Sequence, residues 1–194
     1  MEKQLEDLKA IREMMEKSSK FLSLSGLSGI MAGTTATIGA AIAYFVILSH
    51  YIDQAEILLI ADALIILILS IGFGIYFSRK KAQKSKQKLF NKVTLRIIYN
   101  LSIPLATGGI VSIILLLNGN IEFIAAITLI FYGLALVNAS KYTIDEIHYL
   151  GITEIILGIG ALIFLYHGII FWTIGFGVCH IFYGAIMYKK YDLK

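Results

Sequence analysis

Asp62, Glu154 and His180 are ionisable residues that lie deep inside long apolar stretches of this sequence. A charge in the middle of a bilayer costs about 2.5 kcal/mol or more on insertion scales, so such residues face water or the interior of a helix bundle. Histidine exchanges its proton near neutral pH, and a neighbouring carboxyl group is a suitable partner for that proton. These residue types indicate proton chemistry, provided that the surrounding elements bring them together.

Glu154 and His180 are expected to lie at the same depth in two neighbouring helices. Glu154 is about one and a half helical turns from the start of its stretch and His180 about two turns from the end of the next, so their depths agree within a few ångström. Arg96 is expected to reach Glu154 from one turn nearer the cytoplasm. The predicted inner polar site contains Asn100, Tyr132, Glu154, His180 and Tyr183, and Asp62 is a separate candidate nearer the outer side.

Three roles are open for this inner polar site. Its side chains can form interhelical hydrogen bonds that fix the packing, or they can form a site that gains and loses a proton. A metal site is the third role, but one His, one Glu and one Cys without recognisable ligand spacing argue against it. We therefore expect no metal and no cofactor.

The sequence lacks the motifs of common enzymes and of nucleic-acid binding. It contains no phosphate loop, no HExxH, no GxSxG and no Rossmann glycine pattern. Cys179 is the only cysteine, which excludes an intrachain disulfide. The net charge of +4 comes from basic residues beside apolar stretches, which favours contact with lipid headgroups over nucleic acid. The sequence predicts a protein that is not an enzyme.

The basic residues divide the chain into regions. All 17 lysines and arginines fall into four patches, at 3–20, 79–96, Lys141 and 189–194. Each cation-free stretch between them is long enough for two membrane spans of about 20 residues, with polar residues near its middle. Because lysine and arginine mark the cytoplasmic side of spans, the patches predict which ends face the cytoplasm.

The predicted fold is an all-α polytopic membrane protein with six transmembrane helices, arranged as three parallel-repeat helical hairpins. The predicted spans are 22–48, 57–77, 95–117, 121–139, 149–166 and 169–188. Both termini face the cytoplasm of a plasma (inner) membrane, with an amphipathic helix at 1–20 and a tail at 189–194. The 78–94 loop holds seven cations and no acid, which predicts contact with anionic lipid or, alternatively, a specific partner.

An internal repeat is indicated by the tetrapeptide Ile-Phe-Tyr-Gly, which ends at Gly133 and again, 51 residues later, at Gly184. Gly109 and Gly160 keep the same offset, and Gly74 precedes a basic patch as Gly184 does. Such periodicity is typical of a duplicated supersecondary unit.

These features resemble the HdeD type of bacterial acid-resistance membrane protein. The resemblance rests on three hairpins, on glycines in a first helix (Gly108-Gly109, Gly158 and Gly160) and on a glycine late in the second, over roughly residues 97–188. It implies a bacterial inner-membrane protein without known catalysis, and it carries over no functional residue.

The first span contains a face of small residues, since Ser25, Gly29, Gly33, Thr37 and Ala41 follow one another at i+4. Small residues let membrane helices approach closely. Gly29, Gly33 and Thr37 are therefore predicted packing residues, either at the centre of the bundle or at the subunit interface of a homo-oligomer.

Three functional interpretations are open, of which a membrane enzyme is the least favoured because the sequence has no catalytic constellation. The first is a non-enzymatic integral membrane protein with a structural, regulatory or stress-related role that self-associates. The alternative is a small transporter or channel, proton-linked, that uses Asp62 from outside and the Glu154/His180 cluster from inside.

Overall fold

The protein is helical throughout the part that a computed structural model describes, which comprises residues 24–48, 55–84 and 91–193. These residues contain helices and turns and no strand. The predicted amphipathic segment 1–20 and most of the first outer turn lie outside the described residues.

Within the described ranges, six helical spans are long and apolar enough to cross a membrane, which confirms the predicted all-α, six-span class. The first five are α1 (Gly26–Leu48), α2 (Ala55–Lys84), α3 (Lys92–Leu117), α4 (Ile124–Ser140) and α5 (Glu146–Ile163). The sixth span runs from Leu165 to Asp192 and comprises α6 (Gly168–Trp172), a π-helical segment (Thr173–Cys179), α7 (His180–Met187) and a second π-helical segment (Tyr188–Asp192). The chain is thus a multi-pass membrane protein.

The second and third helices extend into the region that the sequence predicts to be a loop at 78–94. α2 continues to Lys84, and α3 begins at Lys92, where the Asn91 side chain accepts hydrogen bonds from the backbone N–H groups of the next turn. With 30 residues, α2 is about 45 Å long, whereas the hydrocarbon core of a bilayer is about 30 Å thick. The basic end of α2 therefore extends beyond the hydrocarbon.

The spans pack with α2 and α3 at the outside. α1 lies between α2 and the sixth span, and α4 lies between α3 and α5. The sixth span also contacts α4 and α5, which completes a central group formed by α1, α4, α5 and the sixth span. The outer helices expose large apolar side chains such as Ile68 and Leu117, as expected for surfaces that lipid covers.

Backbone contact without intervening side chains joins α4 to α5. A Cβ atom on Gly133 would lie 2.6 Å from the Gly151 carbonyl oxygen and 2.9 Å from the backbone nitrogen of Ile155. Two helical turns beyond Gly151 on α5, a Cβ on Gly158 would lie 2.9 Å from the backbone nitrogen of Ile130. Only glycine fits these positions at the observed separation of the helices.

The sixth span packs on α1 by the same set of contacts. A Cβ on Gly184 would lie 2.8 Å from the Gly26 carbonyl oxygen and 2.6 Å from the backbone nitrogen of Ile30. A Cβ on Gly33 would lie 2.8 Å from the backbone nitrogen of Ile181. The α4–α5 and sixth span–α1 interfaces therefore match contact for contact, with Gly184 in the place of Gly133.

The small-residue face of α1 is thus used inside the chain. Gly29 and Gly33 lie against the sixth span, and the Thr37 hydroxyl donates a hydrogen bond to the Gly33 carbonyl oxygen of its own helix (2.8 Å). Thr37 also lies beside Gly177. Self-association remains a prediction, and it would require a surface other than this occupied face.

Candidate functional site

His180 is the centre of a polar cluster formed by three of the central spans. Its Nε2 atom lies 2.8 Å from the Tyr132 hydroxyl of α4, and its Nδ1 atom lies 3.0 Å from the Gly175 carbonyl oxygen. The same Nδ1 atom is 3.4 Å from Oε1 of Glu154 in α5. The structure thus brings together Tyr132, Glu154 and His180, which we call the Tyr132–Glu154–His180 cluster.

The π-helical segment before His180 shapes this cluster. The wider π-helical turn is rare and occurs frequently at functional sites. Here the Gly175 carbonyl oxygen, five residues before His180, accepts from the imidazole. Gly175 also has no side chain, and a Cβ there would collide with Oε2 of Glu154. Glycine at this position makes room for the carboxyl group.

Glu154 is the least satisfied side chain of the cluster. It has no exposed surface, and neither carboxyl oxygen has a hydrogen-bond partner among the described residues. Its separation of 3.4 Å from His180 is longer than a well-formed hydrogen bond. A buried polar group without a partner costs about 1–3 kcal/mol, and a charged one costs more.

The hydrogen bonds of His180 define where its proton lies. The Gly175 carbonyl oxygen can only accept, so Nδ1 carries the proton, and in the neutral imidazole Nε2 accepts from the Tyr132 hydroxyl. A second proton on Nε2 would turn the imidazole into a double donor. Tyr132 would then have to accept where it donates now, and the positive ring would attract Glu154. Gain of one proton would therefore change the hydrogen-bond arrangement of the cluster.

Aromatic side chains of the sixth span and of α4 lie beside the His180 imidazole. Phe176 is stacked on His180 with the ring centres 5.9 Å apart, and it also contacts Tyr132 at 4.9 Å. Trp172 lies 4.8 Å from Phe176 on the side away from His180. Because Trp172 is the only tryptophan of the chain, its fluorescence reports on this cluster.

Asn100 and Tyr183, which the sequence predicts in the same site, form no hydrogen bond with His180 or Glu154 among the described residues. The Asn100 side-chain amide donates a hydrogen bond to the backbone carbonyl oxygen of Arg96 in the same helix. The backbone carbonyl oxygen of Asn100 accepts a hydrogen bond from the Asn138 side chain of α4. Tyr183 packs with the apolar group around Leu136 and Met187.

The predicted contact between Arg96 and Glu154 is wrong. Arg96 is exposed on α3, and the carboxyl oxygens of Glu154 have no hydrogen-bond partner among the described residues. The physical reason is the order of the helices, because α4 lies between α3 and α5 and keeps Arg96 away from the buried side of α5.

Asp62 is a separate intramembrane carboxyl group on α2. It is half-buried against α1, where a Cβ on Gly39 would lie 3.3 Å from its Oδ1 atom. Since α2 packs chiefly on α1, Asp62 does not join the Tyr132–Glu154–His180 cluster.

Two ion pairs at one end of the bundle were not predicted from the sequence. Lys81 of α2 lies 2.7 Å from Asp192, whose other oxygen accepts hydrogen bonds from the Ser25 hydroxyl and the Gly26 backbone N–H at the start of α1. Lys190 lies 2.6 Å from Glu146 at the start of α5. The sequence does predict that these acidic and basic residues lie at span ends on the same side of the membrane. It does not show which span ends are neighbours, so the pairs themselves could not be predicted.

The residues of the cluster do not resemble a metal site. Across 24–48, 55–84 and 91–193, no three His, Cys, Asp or Glu side chains are grouped as metal ligands would be. Comparisons of the chain with protein-family models, curated proteins and solved structures give no match. A functional interpretation therefore has to come from the geometry of the cluster.

Proposed function

We propose that this chain is a non-enzymatic integral membrane protein in which the Tyr132–Glu154–His180 cluster gains and loses a proton, and that this exchange changes the packing of the fifth and sixth spans. The observation that carries the proposal is the Glu154 carboxyl group, which is completely buried beside an imidazole and has no hydrogen-bond partner among the described residues. Ionisable residues inside membrane spans are expensive and often form proton relays.

Among the described residues, the titratable side chains that face His180 are the members of the cluster and Cys179. Tyr132 faces it from α4 and Glu154 from α5, while Cys179 adjoins it on the sixth span. α1 has no charged residue among its described side chains and presents Gly29 near the backbone of His180. A proton added here is therefore balanced chiefly by Glu154.

Proton gain would be transmitted through the sixth span. Attraction between an imidazolium and an ionised Glu154 carboxylate would shorten their 3.4 Å separation, and His180 and Gly175 belong to the same continuous helical span. That span contacts α1 backbone to backbone at Gly33 and Gly184, where no flexible side chain can absorb a shift. Close-packed interfaces of this kind change between discrete arrangements rather than by gradual deformation.

Transport is the second candidate function, and the unpartnered Glu154 carboxyl is the observation that favours it. Glu154 has no exposed surface, however, and Asp62 lies at a different pair of helices. These two observations support the non-transporting role more strongly. Proton flux in liposomes that Glu154→Gln abolishes would favour transport instead.

The emission of Trp172 is expected to change as the pH is varied across about pH 4 to 9, which covers the ordinary titration range of carboxyl and imidazole groups. The reason is that Phe176 connects the indole to His180 by ring contacts. The measurement is tryptophan fluorescence of the protein in nanodiscs. His180→Gln should abolish the transition, and Glu154→Gln should move its midpoint.

His148→Gln is the matched control, because His148 is exposed at the end of the bundle near Ser140. It should retain the full transition. A flat titration in the unmodified protein, or a transition that survives His180→Gln, would leave the cluster with a purely structural role.

We further propose that the chain resides in a plasma (inner) membrane with both termini in the cytoplasm. Support comes from the basic residues, since Lys81 and Lys190 meet acidic partners at the same end of the bundle as the exposed cations of α2 and α3. Lysine and arginine at span ends favour the cytoplasmic side.

Cysteine labelling of intact cells tests this orientation. In a Cys179→Ala background, Lys80→Cys should react with a membrane-impermeant maleimide only after the cells are opened. Asn118→Cys, at the opposite end of α3, should react without opening. The reverse pattern would contradict the proposed orientation.

The matching contacts of Gly133 and Gly184 also support the internal repeat. We propose that the second helix of one hairpin packs on the first helix of another in both cases, with Gly151 and Ile155 corresponding to Gly26 and Ile30. The effects of substituting the two glycines, described in the Discussion, test this equivalence.

A further inference from the structure

The cytoplasmic ends of α2 and α3 carry a group of exposed cations that form no ion pair with any acidic residue in the described ranges. The group consists of Arg79, Lys80 and Lys84 on α2 and of Lys92 and Arg96 on α3. None of them forms an ion pair within the described part of the chain, and the sequence from 79 to 96 contains no acid. Five like charges this close in sequence repel one another unless an anion lies among them.

Other cations at the same end of the bundle do have acidic partners. Lys81, on the face of α2 toward the sixth span, pairs with Asp192, and Lys190 pairs with Glu146. The unpaired group is therefore a local feature of the α2 and α3 ends rather than a general property of this surface.

The two helix ends are joined by a short linker, and the two helices do not pack along each other. Lys84 and Asn91 are separated by six residues, so their Cα atoms lie within about 25 Å. α2 packs chiefly on α1, and α3 packs chiefly on α4. Two apolar helices that carry exposed cations at their ends suit a molecule with an anionic head and long apolar tails.

In the repeat, α2 would pack on α3 as α4 packs on α5. The residues of α3 explain why these two helices do not form such an interface. At the positions 51 residues before Gly151 and Gly158, α3 has Asn100 and Thr107. The α4–α5 interface needs glycine at both positions, because each is in backbone contact with α4. Side chains at the corresponding places on α3 prevent a similarly close approach by α2.

Exposed tyrosines lie at the expected depth of a lipid headgroup. Tyr76 is one turn before Lys80 on α2, and Tyr99 is one turn after Arg96 on α3. Tyrosine is enriched where the hydrocarbon meets the polar headgroups.

We propose that a phospholipid with an anionic headgroup binds between the cytoplasmic ends of α2 and α3. The headgroup contacts the unpaired cations, and the acyl chains lie along the apolar sides of the two helices. A second copy of this chain would bring the same cations toward each other, so charge complementarity favours the lipid. This inference is independent of proton exchange at His180.

Native mass spectrometry tests the proposal with the detergent-solubilised protein and equal amounts of phosphatidylglycerol and phosphatidylcholine. The unmodified protein should retain phosphatidylglycerol preferentially. Each basic residue near an anionic surface contributes about fivefold in affinity, so Lys80→Gln with Lys92→Gln should weaken binding about 30-fold. The matched control is Lys141→Gln with Lys189→Gln, two exposed lysines elsewhere, and it should change binding less than about threefold.

Four outcomes would overturn the proposal. Equal retention of phosphatidylcholine would show that the headgroup charge is not recognised, and an equal loss in the control variant would show a general charge effect. Displacement of the lipid by inorganic phosphate at low concentration would indicate a site for a free anion. A dimer that forms without lipid and is strengthened by the two substitutions would indicate a second copy.

Discussion

Gly184→Leu and Gly133→Leu are each expected to lower the free energy of unfolding by about 3 kcal/mol, the upper part of the range for overpacked cores. A Cβ on Gly184 would lie 2.6 Å from the backbone nitrogen of Ile30, and one on Gly133 would lie 2.9 Å from that of Ile155. Backbone atoms cannot rotate away as side-chain ends can, so the helices must separate. Reversible unfolding in mixed detergent and SDS, followed by circular dichroism, measures the loss.

Gly109→Leu is the matched control, because nothing lies within 4 Å of the position of its Cβ atom. It places the same side chain on a membrane helix and should change the unfolding free energy by less than about 0.5 kcal/mol. If Gly133→Leu and Gly184→Leu differ strongly, the two interfaces are not equivalent. If both match the control, the close backbone packing does not contribute to stability.

His180→Leu is expected to destabilise the protein by about 3 kcal/mol, because two buried polar groups lose their hydrogen-bond partner and each such loss costs about 1–3 kcal/mol. The substitution leaves the Tyr132 hydroxyl and the Gly175 carbonyl oxygen without the imidazole, and it removes the imidazole nitrogen that lies 3.4 Å from Glu154. The same SDS unfolding experiment provides the measurement.

A double-mutant cycle separates this effect from a simple packing defect. Combining His180→Leu with Glu154→Met, which keeps an unbranched side chain of similar length, removes the stranded carboxyl group. The double variant should be more stable than His180→Leu alone, with a coupling energy of about 1–3 kcal/mol. Strictly additive losses would mean that His180 and Glu154 do not interact.

The six spans could be predicted because each carries its own signal, about 20 apolar residues between polar breaks. The ends of α2 and α3 could not be predicted. Cations such as Arg79, Lys80 and Lys84 are expected in a loop outside the membrane, but they are equally expected on a helix that extends beyond the hydrocarbon. Charge indicates that a residue leaves the membrane, but it does not indicate that the helix ends there.

The composition of the cluster could be predicted only in part. Depth along a helix follows from residue number, and so Glu154 and His180 were placed at one level. Which helices are neighbours does not follow from depth, so the sequence groups Asn100 and Arg96 on α3 with Glu154 on α5, although α4 lies between these two helices. The intervening α4 contributes Tyr132 instead.

The π-helical segment and the ion pairs depend on tertiary structure. No local pattern distinguishes the turn around Gly175 from an ordinary glycine-containing helix, and its role becomes visible only when Glu154 fills the space beside it. Likewise, the contact of Lys81 with Asp192 joins residues 111 positions apart in the sequence.

The nitrogen-15 spectrum of His180 tests the central claim most directly. Histidine-labelled protein in nanodiscs would be recorded from about pH 4 to 9, with His180→Gln to assign the signals. The account predicts a neutral ring with its proton on Nδ1 at the alkaline end, and protons on both nitrogens at the acidic end. A ring that keeps one protonation state across the whole range would contradict it.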